Sequence, residues 1–304
     1  MPQIAHPARP LAYVSLFPQR DGSQRVEVGL LPTPHPTLLG ADARAVVALD
    51  ASRSMRPMYG GCCDANYTEL VARKTGELLC PITHSGRIRI LYWSLGQGGA
   101  EIELVGDLDA EQCRGYPFRG PSKSKWGTGT KMLPIIKHII EDAGKGASFT
   151  MGVIMTDGII EDEKDCVDYC LELGRRLKAG MQPPVRLILL GLGEMVDEAQ
   201  FDRFDNMFGD TSLGNEVDLW ACGLAASMQD EDDIFNLLFG DLFSEDAVIA
   251  ESGLVVDDNG SIVAAFPEGL PIRFSFILPE GCREFTVRSS RWEVTQDLSG
   301  VLDV

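Results

Sequence analysis

The strongest constraint on this chain is an apolar run that stops at a carboxylate. Residues 45–49, Ala-Val-Val-Ala-Leu, end in Asp50, and two hydroxyls follow at alternate positions, Ser52 and Ser54. A run this short and this apolar reads as a strand buried on both faces, the habit of a parallel sheet. Asp50 then stands where the strand leaves the sheet, the edge at which open α/β folds place their ligands. One carboxylate and two hydroxyls on a tight turn are hard oxygen donors, suited to Mg²⁺, Ca²⁺ or Mn²⁺ rather than zinc. Taken alone, such a turn reads equally well as a helix N-cap, where Ser and Asp are favoured.

Two later stretches extend the set. Trp126-Gly127-Thr128-Gly129-Thr130 offers hydroxyls on a glycine-flexed loop ahead of an apolar helix, and residues 153–158, Val-Ile-Met-Thr-Asp-Gly, are a second buried strand ending in Asp157. Asp-x-Ser-x-Ser, then Thr, then Thr-Asp-Gly, in this order, resembles the von Willebrand factor A (VWA) family and its metal-ion-dependent adhesion site, over roughly residues 41–243. The resemblance implies a Mg²⁺ held by Ser52, Ser54 and Thr128, with Asp50 and Asp157 acting largely through bound water. Mn²⁺ and Ca²⁺ are the alternative ions. The family pattern favours Thr128 as the ligand, with Thr130 as the alternative. The last coordination position is left for an acidic residue of a partner protein.

Charge narrows the partners. The formal net charge of −18 repels phosphate backbones, so nucleic acid is not expected to bind. Basic protein surfaces and cations are favoured instead. Acid is concentrated between residues 194 and 246, where fifteen Asp or Glu accompany one Arg; a solvated acidic face is the plain reading. No apolar run reaches the length of a membrane span. The opening residues, Met-Pro-Gln-Ile-Ala-His-Pro-Ala-Arg-Pro, lack the apolar centre of a signal peptide, so a cytoplasmic location is expected. The eight cysteines lack convincing zinc-ligand spacing and read as reduced core thiols. Cys62 and Cys63, beside the proposed metal loop, leave a redox or second metal role open.

The expected fold is α/β, a doubly wound, mostly parallel sheet, joined to a smaller antiparallel β domain built from both chain termini. Strands are expected at residues 44–50, 87–94, 101–105, 149–157, 185–190 and 217–222, and helices at 66–79, 131–143, 162–179, 197–208 and 232–243. Residues 107–126 read as a long loop carrying Arg119, Lys123 and Lys125. At the N-terminus, residues 11–17 and 24–31 flank Asp21-Gly22 as a β-hairpin, and the prolines of 32–36 make a stiff connector. After residue 243, short apolar runs at 247–256, 261–266, 270–278 and 284–287 alternate with turn signals, and the end from Asp297 looks frayed. The expected division is therefore a hairpin at 1–38, a VWA domain at 41–243, and strands at 245–304 that join the hairpin in a small β-sandwich.

Function follows as a metal-dependent protein–protein interaction module, not an enzyme. The rival is a Mg²⁺-dependent phosphotransferase or phosphatase, since those also begin from a strand-end aspartate. They resemble Asp-x-Asp, however, and the second carboxylate is here Ser52. A Ser-His-Asp hydrolase lacks Gly-x-Ser-x-Gly, and Gly191-Leu-Gly193 lacks the third glycine of a dinucleotide loop. A VWA scaffold without metal dependence is a third possibility.

Overall fold

The computed structural model describes Ile4 and residues 7–31, 41–60, 66–192, 196–214, 216–225, 237–238 and 247–302. The proline connector at 32–36, the Cys62–Cys63 pair and, apart from residues 237 and 238, the helix expected at 232–243 lie outside the described residues. The chain divides into two compact units, Pro34–Met228 and a second made from Met1–Thr33 with Gln229–Val304.

The second unit begins with a hairpin, β1 (Leu11–Pro18) and β2 (Gln24–Leu30). Its turn uses Gly22 at φ 84°, a conformation open to glycine, and the Asp21 carboxylate accepts the Ser23 N–H at 3.1 Å.

The larger unit is a mixed α/β layer around a six-stranded, mostly parallel sheet. Its elements are β3 (Ala43–Asp50), α1 (Tyr67–Leu79), β4 (Arg87–Leu95), β5 (Glu101–Asp109), α2 (Ala110–Gly115), α3 (Leu133–Lys137), β6 (Phe149–Thr156), α4 (Glu163–Lys178), β7 (Val185–Gly191), α5 (Glu198–Asp205) and β8 (Trp220–Leu224). The strand order is β5-β4-β3-β6-β7-β8, with only β5 antiparallel to its neighbour. The chain thus builds outward from β3 in one direction, returns through β6, and builds outward in the other. The reversal leaves a crevice beyond the carboxyl ends of β3 and β6, where Asp50 and Asp157 lie.

Both faces of β3 are buried, as its apolar run requires. Val46 and Ala48 join Leu91, Trp93, Ile154, Leu187 and Leu189 in a cluster with Ile135, Ile136, Cys166, Cys170, Phe201 and Phe204 from α3, α4 and α5. Residues of the opposite parity, Val47, Leu49, Ile90 and Val153, are just as buried but lie outside that cluster. Each Val, Leu, Ile or Phe side chain removed from water contributes about 1.5–3 kcal/mol before the entropy of ordering is subtracted.

Several elements differ from the sequence expectation. Residues 107–115 are not loop: β5 continues to Asp109, which caps α2 through a reciprocal pair with Gln112. The helix expected at 131–143 starts at Leu133 and widens into a π-turn over His138–Ala143. Its first N–H groups, those of Met132 and Leu133, donate to Asp162 at 2.7 and 3.0 Å.

The remaining strands belong to the other unit: β9 (Val248–Ala250), β10 (Gly253–Asp257), β11 (Ile262–Phe266), β12 (Leu270–Pro271), β13 (Arg273–Leu278), β14 (Glu284–Ser289) and β15 (Glu293–Asp297). They form separate antiparallel sheets, β1-β2-β13, β11-β10-β14-β15 and β9-β12. Phe276 on β13 meets Phe285 on β14, and Phe274 meets Phe266 on β11, each pair with ring centroids 5.1 Å apart, so aromatic side chains bind the two larger sheets. The run expected at 247–256 is two strands in different sheets. That at 270–278 divides at Ile272, whose N–H donates to Ala247 and whose carbonyl accepts from Leu30. The chain does not fray from Asp297: β15 pairs with β14, and the Asp297 carboxylate takes the Ser299 N–H at 2.8 Å at the start of α6 (Ser299–Leu302).

Candidate metal centre

Asp50 ends β3 fully buried, one residue past the Leu49–Met155 pair that joins β3 to β6. Its two oxygens face different elements. Oδ1 accepts the Ser52 N–H at 2.7 Å, which tightens the turn after the strand. Oδ2 accepts the Thr156 hydroxyl at 2.6 Å, which ties the end of β3 to the end of β6. Tyr59 donates its hydroxyl to the Asp50 carbonyl at 2.8 Å. Burial pushes the Asp50 carboxyl up to about 7, against the Thr156 and Ser52 hydrogen bonds that favour the ionised form, and the nearby Asp157 adds to the rise.

A line of oxygens runs from this turn to β6. Ser52 Oγ lies 2.9 Å from Ser54 Oγ, and Ser54 Oγ donates to Asp157 Oδ1 at 2.9 Å. Asp157 is also raised by burial, opposed by the Ser54 hydrogen bond. Among the described residues, no Lys, Arg or His forms an ion pair with Asp50 or Asp157.

The threonine loop is fastened to the same edge. Gly127 bridges Ser52, its N–H donating to Ala51 and its carbonyl accepting from Arg53, both at 3.0 Å. A Cβ at Gly127 would stand 1.8 Å from the Ser94 carbonyl, so only glycine lets the loop lie against β4. Ser94 itself holds φ at 59° and donates its hydroxyl to the Gly129 carbonyl at 2.6 Å. Thr128 and Thr130 line one opening of about 280 Å³ with Ser52, Arg53, Ser54, Gly129 and Glu161. Thr128 Oγ1 accepts the Gly98 N–H at 3.0 Å. Thr130 is buried, and a Cβ on Gly158 would stand 3.8 Å from its hydroxyl oxygen and 3.9 Å from that of Ser54.

The structure therefore gathers Asp50, Ser52, Ser54 and Asp157 through direct hydrogen bonds and brings Thr128 and Thr130 to the same mouth. Sequence reasoning did not assign roles to Thr156, Gly98 or Glu161. Thr156 sits inside the Thr-Asp-Gly motif, and its hydroxyl beside a strand-end acid was a usable signal. The Gly98 contact depends on a hairpin turn with no local mark of its partner.

The donors are all oxygen. Hard divalent ions take such sets, and Mg²⁺ prefers an octahedron with bonds of about 2.0–2.1 Å, whose neighbouring oxygens lie about 2.9 Å apart. The Ser52–Ser54 and Ser54–Asp157 separations are ordinary hydrogen-bond lengths that are also compatible with that edge. Asp257, Asp258 and Cys282 also lie within reach of a single ion. Their carboxylates, however, already accept the N–H groups of Asn259, Ser261 and Arg283.

No protein-family model matches the chain, and no curated protein sequence matches it. Among solved structures, the pilus adhesin SpaC from Lactobacillus rhamnosus GG aligns over 94% of this chain and 47% of its own, at 10% identity and a TM-score of 0.41. Proximal thread matrix protein 1 from the mussel byssus, solved with a zinc-occupied MIDAS motif, aligns over 72% of this chain and 50% of its own, at 13% identity and a TM-score of 0.37. A mutant of the PilB minor pilin from Streptococcus sanguinis aligns over 77% of this chain and 78% of its own, at 9% identity and a TM-score of 0.42. The chain spans about half the length of the adhesin and of the mussel protein. These likenesses are weak and concern the fold alone. No helix among the described residues is long and apolar enough to cross a membrane.

Proposed function

We propose that residues 41–243 form a VWA-type domain, doubly wound about its mostly parallel sheet, that holds one divalent ion and uses it to bind a carboxylate of a partner protein. The observation that carries this reading is the line of oxygens from Ser52 through Ser54 to Asp157, spaced at 2.9 Å, beside two buried carboxylates with no ion-paired base among the described residues. Ser52, Ser54 and Thr128 would supply neutral hydroxyl ligands, with Thr130 the alternative to Thr128. Asp50 and Asp157 would balance the charge through hydrogen bonds and water. An ion held mainly by neutral oxygens keeps its pull on one further anionic ligand. Mg²⁺ is the proposed occupant, with Mn²⁺ or Ca²⁺ as substitutes.

The activity proposed is binding, not catalysis: at residue 52, where aspartate-based phosphotransferases place a second acid, stands a serine. The proposed partner is a protein that offers one acidic residue; the net charge of −18 weighs against nucleic acid, and no membrane surface is proposed. The setting proposed is a cytoplasmic multiprotein assembly, in keeping with six described cysteines that are free thiols, five of them buried. The antiparallel strands of the two chain ends would form the companion β domain.

The test is thermal unfolding after chelation, with Mg²⁺ or Mn²⁺ titrated back, followed by capture of partners in Mg²⁺ or in chelator. A saturable rise in the midpoint, absent in Asp50→Ala, together with a captured protein released by chelator, is the expected result. Turnover of a phosphate ester that requires Mg²⁺ and Asp50 would favour the enzyme reading instead.

A further inference from the structure

Among the described residues that line this opening, Glu161 is the one carboxylate that the ion-binding reading does not use. Its N–H donates to the Thr130 carbonyl at 2.9 Å, which pins the segment after Asp157 against the threonine loop. The side chain is exposed and lines the same opening as Ser52, Ser54, Thr128 and Thr130. Neither a hydrogen bond nor an ion pair holds its carboxylate among the described residues. That carboxylate lies over Gly129: a Cβ added there would stand 2.7 Å from Oε2 and 3.1 Å from Oε1. Gly129 has no positive φ to account for its being glycine. The added Cβ would meet the far end of the exposed Glu161 side chain, so the carboxylate and the Gly129 backbone share the rim.

We infer that Glu161 is the centre's internal carboxylate, occupying the ion's open position until a partner's carboxylate displaces it. The inference rests on the metal-binding reading above and adds its regulation. With Asp50 and Asp157 alone, a divalent ion leaves the centre close to neutral and receptive to an anion. With Glu161 also engaged, the centre carries an excess negative charge that opposes the approach of an outside carboxylate. The exchange is one oxygen ligand for another, with no bond made or broken other than to the ion. A partner must therefore outcompete a tethered group, which rejects isolated carboxylates and favours partners that add contacts elsewhere.

Calorimetric titration of Mn²⁺ tests this, with acetate as the probe and chloride at matched ionic strength as the reference. Three full-length proteins are compared: the native chain, Glu161→Gln, and Gly129→Ala, which displaces the carboxylate without removing it. The native chain is expected to bind Mn²⁺ with an affinity nearly indifferent to acetate. Both variants should bind Mn²⁺ more weakly in chloride and recover affinity in acetate, by roughly tenfold. Mn²⁺ binding in all three with the same acetate response would overturn the role of Glu161 and leave the metal centre standing. No Mn²⁺ binding by the native chain would overturn both.

Discussion

The two ends of the six-stranded sheet both concentrate charge, and they handle it in opposite ways. At the amino ends of β3 and β4, Arg44, Arg87 and Arg89 meet Asp42, Asp107 and Asp142 around a cavity of about 660 Å³. Arg44 grips Asp42 at 2.7 Å and Arg89 grips Asp107 at 2.9 Å, and each arginine holds its aspartate's carboxyl below the usual range. At the carboxyl ends the opening is smaller, about 280 Å³, and the acids behind it are driven upward by burial. The larger cavity is thus already neutralised by its own side chains. The smaller one is lined by oxygens and backed by two acids whose charge nothing described compensates. Size alone would favour the amino end; the missing countercharge is what supports placing the proposed ion at the carboxyl end.

If that contrast is right, the largest effects come from Asp50. At an ion concentration a hundred times its dissociation constant, binding adds about 2.7 kcal/mol, and the unfolding midpoint should rise by roughly 5–10 °C. Asp50→Ala should lose that rise while keeping its secondary structure by circular dichroism. A normal Mn²⁺ response in this variant would remove Asp50 from the centre.

In chelator the same residue should give an unusual pH profile. The folded carboxyl sits at about 7 against an ordinary 3.8, so the folded state binds the extra proton between those values. Stability is then full below pH ~4 and falls as pH rises toward 7, by an order-of-magnitude figure of about 4 kcal/mol. Urea unfolding of Asp50→Asn should show no such loss. A native chain that gained stability over that range relative to Asp50→Asn would contradict the sign.

A smaller effect separates the two threonines. The one whose hydroxyl binds the ion should, as alanine, weaken Mn²⁺ on the order of 10–100-fold, the range reported for lost support of a ligand set. The other should change it little. Thr128 is the expected ligand, although its oxygen accepts the Gly98 N–H, whereas Thr130 shares the space around Gly158 with Ser54. If Thr130→Ala alone abolishes binding, the ligand is the second threonine of the loop.

The contrast also explains what could be read from the chain. β3, β6 and β7 announce themselves because each carries an apolar run, buried on both faces, that stops at Asp50, at Thr156 just ahead of Asp157, or at Gly191. Asp50, Ser52 and Ser54 were legible because their order is local. The divided strands at 247–256 and 270–278 were not, because what splits them is distant: Ile272 bonds to Ala247 on one side and to Leu30 on the other. β15 was missed for a similar reason. Its alternation of burial, in Glu293-Val-Thr-Gln-Asp297, places Gln296 inward, where its Oε1 takes the Ala8 N–H at 2.7 Å from the far end of the chain. A polar residue satisfied by a partner remote in sequence carries no apolar signature. Thr156 and Glu161 fall between these cases, since they adjoin the motif but their roles depend on what faces them.

The smallest expected effect lies at the amino edge and is the control for the whole comparison. Arg89 and Asp107 are a two-pronged pair, with Nε and Nη2 at 2.9 and 3.2 Å from the carboxylate oxygens, but both side chains are partly in water. Solvent screening limits such a pair to below about 1 kcal/mol. Arg89→Ala should therefore lower stability only slightly at pH 7 and leave the Mn²⁺ response unchanged. The sign with pH is opposite to that of Asp50. Asp107 is held below its ordinary value chiefly by the Arg89 hydrogen bond, so its contribution is present above pH ~4 and disappears as pH falls through the lowered value. Urea midpoints of the native chain and Arg89→Ala should accordingly converge in acid. A loss much larger than 1 kcal/mol at pH 7, or a changed ion affinity, would mean that the two ends of the sheet are coupled and that paired charge at one end helps set the unpaired charge at the other.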